Sequence, residues 1–527
     1  MLFSSSATSH EGHTTYYIMQ KIYTLALLFI VLNTLNAQLH DNVWYLGYDS
    51  NPDELEFGGT TIEFREDSLN IYYEFREMNF FLSNASFSDS SGHLLLVTNN
   101  HFITNQNNIL IPNGEGLNPG FYETPGDVLG YPLSQGCLFL SSPTNPDEVY
   151  LFHLTVEPPQ NNLNYYSKDF YYSKIVNVAN SPEVIEKNKL IYSDTLNLGR
   201  LTAVKHADGR SWWLVLKDYQ KECFFCYLWK EDELNFIEKQ CFSQEQEMPS
   251  IGQVVFSPDG TRYIYQSIYD NIEDGTSIQI YDFDRCTGAL SNRQSFGYID
   301  GAWGGGVAVS PNSRFLYVSS YYYLYQYDLW ADDIEATKDT IAEWDGWADP
   351  VFTFLESTFN SLQLGPDGKI YMCTRGATNV MHRINNPDMQ GDSCNFVQRD
   401  IQLPTFNAFS IPNFPNYRLG PTESICDTVT LSTSPVDVAG SKDVKVYPNP
   451  AQGQVFVWLA AKYDKALVWR LRDVSGHLMR EKSMYLPQGG SSSAISLEGL
   501  AGGLYFWELL ADDGAVLGVG KIVVTNF

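Results

Sequence analysis

Catalytic signatures are missing from this chain. Its 527 residues contain no G-x-S-x-G, no H-E-x-x-H and no phosphate-binding glycine loop. That removes the nucleophile elbow, the zincin helix and the P-loop as sources of chemistry. Basic residues are also scarce: 33 Lys and Arg stand against 62 Asp and Glu, for a net charge of −29. A surface of that sign repels phosphate backbones, so no nucleic-acid partner is expected. The eight cysteines are too few for a disulfide scaffold. The apolar run IYTLALLFIVL is too short to span a membrane, so no transmembrane anchor is expected. Sequence of helical period is hard to find.

What is present is strand and turn. Aromatics make up 14% of the chain, and β-favouring runs lie between Gly, Pro, Asn and Asp clusters. Four segments share one strand–turn–strand pattern: TAVKHADGRSWWLVLKD, GQVVFSPDGTRYIYQS, GGVAVSPNSRFLYVSS and NSLQLGPDGKIYMCTR. Their equivalent turn positions are Gly209, Gly260, Ser313 and Gly368, spaced 51, 53 and 55 apart. The turns are built from Pro258-Asp259-Gly260, Pro311 and Pro366-Asp367-Gly368, where proline presets φ and glycine accepts positive φ. Weaker copies lie around Gly92 and Asp147. A repeat of about 50 residues with about four strands is one propeller blade. The expected body, residues 38–420, is therefore an all-β propeller of about seven blades. Val43-Trp44-Tyr45 and Ser410–Leu419 would pair the two ends of the chain to complete the seventh.

Cys223-Phe-Phe-Cys226 has C-x-x-C spacing but sits in a run that reads as a strand, where positions three apart face opposite sides. A hairpin turning at Lys230–Asp232 would instead set Cys223 opposite Cys241, and that pair is the expected disulfide. Gly304-Gly305-Gly306 lacks the lysine and helix of a nucleotide site. It reads as a place where a strand passes close to the propeller axis. His93, His206 and His382 fall in different repeats, Trp212-Trp213 alternates across a strand, and Tyr321-Tyr322-Tyr323 suits packing.

The two ends address the chain. Met19-Gln20-Lys21, the apolar run and Leu35-Asn36-Ala37 form a signal peptide over 19–37. Residues 1–18 are polar and read as a non-native extension. Pro421 to Asp443 is a Ser/Thr/Pro/Asp-rich linker. Residues 444–527 read as a small β-sandwich in which Val444–Val446 is stopped by Tyr447-Pro448-Asn449-Pro450. With Asp473, Gly476, Leu497, Leu500, Gly503, Tyr505 and Lys521, this tail closely resembles the type A C-terminal sorting domain of the Bacteroidetes type IX secretion system. The resemblance implies engagement of that machinery, transit of the periplasm, and release or attachment at the outer-membrane surface. The tail carries eight basic and seven acidic residues, so all of the net negative charge lies in the rest.

The body also resembles secreted Bacteroidetes propeller proteins of WD-like, quinoprotein-like or lactonase-like type. VWYLG, SFSDSSGHLLL, FSPDGTRY, LGPDGKIY and IPNFPNYRLG carry that resemblance across residues 42–420. It implies a fold and no reaction. The expectation is a noncatalytic surface or released module that binds a protein, glycan or small molecule, without a cofactor. The alternative is a hydrolase or lactonase with acidic and histidine side chains around the channel, where calcium has a place. Convergent carboxylates or imidazoles at a channel mouth would favour the enzyme. A channel plugged by apolar and hydroxyl side chains would favour binding.

Overall fold

The computed structural model describes residues 38–47, 54, 56–65, 68–122, 130–160, 163–243, 247, 250–269, 275–301, 304–422, 426, 444–459, 466–473, 478–485, 491–511 and 516–525. The expected N-terminal extension (1–18), the expected signal peptide (19–37) and most of the expected linker (421–443) lie outside these residues. The chain divides into two compact units between residues 426 and 427, each described by itself.

Among its described residues the first unit holds seven separate antiparallel sheets, each contiguous in sequence. Blades one and two have three strands each, spanning Val43–Tyr73 and Ala85–Asn105. Blades three, four, six and seven have four strands and span Cys137–Leu196, Thr202–Cys241, Gly305–Glu343 and Phe359–Asn407. Blade five spans Ser250–Tyr298, its inner edge broken into Ser250–Ile251 and Val254–Phe256. Each blade is a meander that starts from a buried inner strand and runs outward. Gly305–Val309 is buried throughout, whereas Glu233–Cys241 is mostly exposed. The middle strands are covered on both faces by neighbouring blades, which is why runs such as Trp212–Lys217 are apolar without alternation. Aromatic contacts fill the gaps between blades. Trp229 meets Tyr150 and Phe152 of blade three, and Phe224 meets Tyr263 and Tyr281 of blade five.

The inner hairpin turns share one conformation. Gly92, Gly209, Gly260 and Gly368 have φ of 88°, 71°, 74° and 75°, and Ser313 takes the same place at 62°. The amide of Gly260 donates to the Ser257 carbonyl at 2.8 Å, and that of Gly368 to Gly365 at 3.0 Å. Asp259 and Asp367 accept from the amides of Thr261 and Lys369, which is turn chemistry. The hairpin of blade four turns at Glu231 and Asp232, both at positive φ. Its register sets Cys223 opposite Cys241, and the two are joined by a disulfide.

Ring closure departs from the sequence expectation. Ser410–Leu419 forms no strand and does not complete a blade with Val43–Tyr45. Pro412 and Pro415 have no amide proton, and two gaps in so short a segment prevent a ladder. Blade seven instead abuts blade one directly. Thr405 and Thr60 share a hydrogen bond at 2.8 Å, and the Gly47 amide donates to Asn407 Oδ1 at 3.1 Å. Cys426 of the first unit is disulfide-linked to Cys286 of blade five.

The second unit is a seven-stranded β-structure. Val444–Gln452, Gln454–Leu459 and Ser491–Ser496 form one layer; Ala466–Arg472, Leu478–Tyr485, Gly503–Leu510 and Val516–Val524 form the other. Alternating residues such as Val455, Val457, Leu467, Trp469, Trp507 and Leu509 fill the core between them. The first strand is not stopped at Tyr447: it runs through the two prolines to Gln452. Its first half pairs with Gln454–Leu459, and Ala451 pairs parallel to Val524 in the other layer. Asn449 substitutes for the missing backbone donors. Its Nδ2 donates to the Lys521 carbonyl at 3.1 Å, and its Oδ1 accepts from the Val523 amide at 2.9 Å.

Candidate functional site: a channel closed at its waist

After blade seven the chain descends the centre of the ring beside blade one. Asn84 Nδ2 donates to both the Tyr45 carbonyl and Ser410 Oγ, Phe414 packs near Trp44, and Arg418 pairs with Asp41 at 2.5 Å. Without a strand ladder, this segment is held by side-chain amides. Asn413 Nδ2 donates to the Cys137 carbonyl at 3.0 Å and the Leu201 carbonyl at 2.9 Å, while its own amide donates to Asn84. Asn416 donates to the Pro258 carbonyl, and Tyr417 Oη to that of Phe139. Below, Arg285 binds the carbonyls of Lys205, His206 and Gly420.

Two glutamines close the remaining width. Gln135 accepts from the Val254 amide at 2.8 Å and donates to the Val254 carbonyl and Asn413 Oδ1. Gln253 reaches across blade six to blade seven, bonding the Val307 amide and both backbone groups of Leu362. The triple glycine makes this possible. A Cβ on Gly306 would lie 1.9 Å from Gln253 Oε1, and one on Gly305 would lie 2.2 Å from the Ser319 carbonyl.

The waist separates two mouths of about 250 Å³ each. The lower one lies between Phe414 and the inner strands of blades five to seven, with Pro258, Pro311 and Pro366 of the turns at its rim. The upper one, where the inner strands begin, is walled by Phe81, Leu82, Pro132, Leu198, Ile251 and Phe409. Its polar groups are Ser134, Asn360, Ser361 and Arg375. Gly304 gives Arg375 its seat: a Cβ there would lie 2.8 Å from Arg375 Cδ and 2.9 Å from Nη1. The guanidinium lies over the Phe409 ring at 5.4 Å. Burial pulls the Arg375 pKa below the usual arginine value, opposed by Tyr321.

Acid–base groups do not converge on either mouth. Among the described residues, no group of three or more His, Cys, Asp or Glu is arranged to hold a metal ion. His93 is exposed beside Asp89, and His206 sits in its turn against Asp208 at 3.2 Å. His382 is buried within blade seven and donates to the Ser357 carbonyl, and burial pushes its pKa down to about 3. Cys226 and Cys373 are buried thiols pushed up to about 12 by burial. Trp212 faces Tyr417 in the channel, while Trp213 turns away and donates to the Arg285 carbonyl. Tyr321 and Tyr322 pack on each other near Trp344, and Tyr323 stacks on Tyr325.

Sequence reasoning missed Gln135, Gln253, Asn413 and Arg375. The glycine triplet was their one trace. In the second unit, Tyr447 stacks on Phe456, Tyr505 Oη donates to the Ala501 carbonyl, and the Leu497 amide donates to the Gly453 carbonyl. Pro448, Asn449 and Pro450 form the crossing, Gly503 opens its strand, Lys521 receives Asn449, and Asp473 follows the strand ending at Arg472. Gly476 lies outside the described residues.

Residues 445–525 match the family described as the secretion system C-terminal sorting domain. No curated protein matches the sequence. A solved candidate 6-phosphogluconolactonase from Bacteroides uniformis is 11% identical over 69% of this chain and 97% of its own, with a TM-score of 0.42. A protein from Lactobacillus plantarum is 13% identical over 70% and 98%, with a TM-score of 0.40. The Dos1 propeller is 9% identical over 69% and 83%, with a TM-score of 0.34. None of these likenesses bears on what this chain binds. The tail is a sorting domain of the type IX secretion system, and the protein is secreted to the cell surface or the extracellular space. Among the described residues, no helix is long and apolar enough to cross a membrane.

Proposed function

We propose that the propeller is a noncatalytic binding module delivered outside the cell by its sorting tail, with the upper channel mouth as its ligand site. The observation that carries this reading is the closed waist. Gln135, Gln253 and Asn413 fill the axis with neutral amides whose hydrogen bonds are made to backbone and to one another. The upper mouth keeps the makeup of a ligand site, an apolar wall with a few convergent polar groups. A glycan and metabolite binding screen on the full-length protein, with and without EDTA, tests the proposal. The expected result is a saturable ligand that EDTA does not displace and that is recovered unchanged. Turnover of a bound compound would favour the hydrolase reading, and loss of binding in EDTA would bring in calcium.

A further inference from the structure

Arg375 differs from most other arginines of the propeller. Arg262, Arg293, Arg314, Arg383, Arg399 and Arg418 each pair with a carboxylate. Arg200 is buried on the Ser250 and Gln266 carbonyls, and Arg76 on those of Leu46 and Thr60. Arg418 also lines a channel mouth, but it is neutralised by Asp41; Arg375 is held at the upper cavity wall, and no carboxylate among the described residues lies within salt-bridge distance of it. In a chain of net charge −29 an unmatched arginine at a cavity is not explained by a shortage of acids.

Its surroundings fix what it can receive. A half-buried guanidinium pays a desolvation cost that an anion in the same cavity offsets. Its planar fork matches a carboxylate bidentately. Beside it, Asn360 and Ser361 supply neutral polar groups, and the remaining wall is aromatic and aliphatic. A strongly hydrated dianion is poorly served by one cation on such a wall. A carboxylate carried on an apolar body is well served.

We infer that the upper mouth binds a small organic carboxylate, with Arg375 pairing its charged end and Phe81, Leu82 and Phe409 covering its apolar body. This rests on reading that mouth as the ligand site. The test is calorimetric titration of the full-length protein with sodium benzoate, with its neutral isostere benzamide and with inorganic phosphate. Benzoate should bind at least about tenfold more tightly than benzamide, the size of one charge-assisted hydrogen bond. Phosphate should not bind measurably. Arg375→Gln should abolish the preference for benzoate over benzamide. Gly304→Ala keeps the charge but pushes the guanidinium off its seat, and should weaken benzoate severalfold with benzamide unchanged. Equal affinity for benzoate and benzamide overturns the carboxylate assignment and leaves the mouth as a site for neutral ligands; so does benzoate affinity that survives Arg375→Gln. If no probe binds and the wider screen is also silent, the assignment and the binding-module reading both fall.

Discussion

The side chain of Gln253 pairs with the backbone of Leu362 as one peptide pairs with another. Nε2 donates to the Leu362 carbonyl at 3.0 Å, and Oε1 accepts from the Leu362 amide at 3.0 Å. The same oxygen accepts from Val307, so one side chain ties blades five, six and seven together. Gln253→Ala leaves two buried amides and a carbonyl without partners. The expected cost is about 2–4 kcal/mol. Urea unfolding of the two proteins measures it.

The three neighbouring glycines should respond differently to a methyl group. Gly306→Ala drives Cβ into Gln253 Oε1 and to 2.8 Å from the Ser361 Cα; Gly305→Ala drives it into the Ser319 carbonyl. Neither obstacle on the backbone can step aside, so both should destabilise by about 2–4 kcal/mol, as overpacked cores do. Gly304→Ala meets the flexible end of Arg375 and should leave the melting temperature close to wild type. Differential scanning calorimetry of the three variants separates the cases.

Acid should unfold the propeller through its buried histidines. Burial lowers His153 and His382 to about 3 and His40 to about 4. In the unfolded chain each protonates near 6.5. The unfolded state therefore binds more protons between these limits. The stability is fully present above about pH 6.5 and is lost as pH falls toward the folded values, by up to about 1.4 kcal/mol per pH unit for each histidine. His382→Gln keeps a donor for the Ser357 carbonyl. It should lower the slope of stability against pH by up to about 1.4 kcal/mol per pH unit between about pH 4 and 6, measured by urea titrations across that range.

The Cys286–Cys426 bond holds the channel segment where it leaves the ring, and it spans 140 residues of sequence. Cys426→Ser should cost about 2–4 kcal/mol by freeing the unfolded chain. Mass spectrometry of a non-reduced digest should show Cys286 free in the variant and joined to Cys426 in the wild type.

Deleting residues 444–527 should leave the propeller inside the outer membrane. Asn449→Ala is the subtler version, because it removes both hydrogen bonds that clamp the last strand. A loss of about 1–2 kcal/mol in the tail should reduce the amount exported. Immunoblots of culture medium, cell surface and periplasm read both outcomes.

Much of the architecture lies within reach of local chemistry. The positive φ at Gly92, Gly209, Gly260 and Gly368 is written in four-residue turns, so the blade rhythm shows along the chain. The partner of Cys223 follows from the register of one hairpin. Prolines are read less reliably. Pro448 and Pro450 argue for a strand end, yet the strand runs on through Asn449, whereas Pro412 and Pro415 do prevent a ladder and Asn413 then holds the irregular segment. Asn449 carries its strand onward, whereas Asn413 anchors an irregular segment to three blades.

From the sequence alone came the β-class, the repeat and the export tail, since each is set by residues a few positions apart. Only the folded ring determined that the channel is shut and that Arg375 faces a cavity with no counter-ion among the described residues. Those facts depend on contacts such as Gln135 with Asn413, 278 residues away. A lone glutamine or arginine carries no local mark of where ring closure will put it, and burial alone turns a routine polar side chain into a lock or a site.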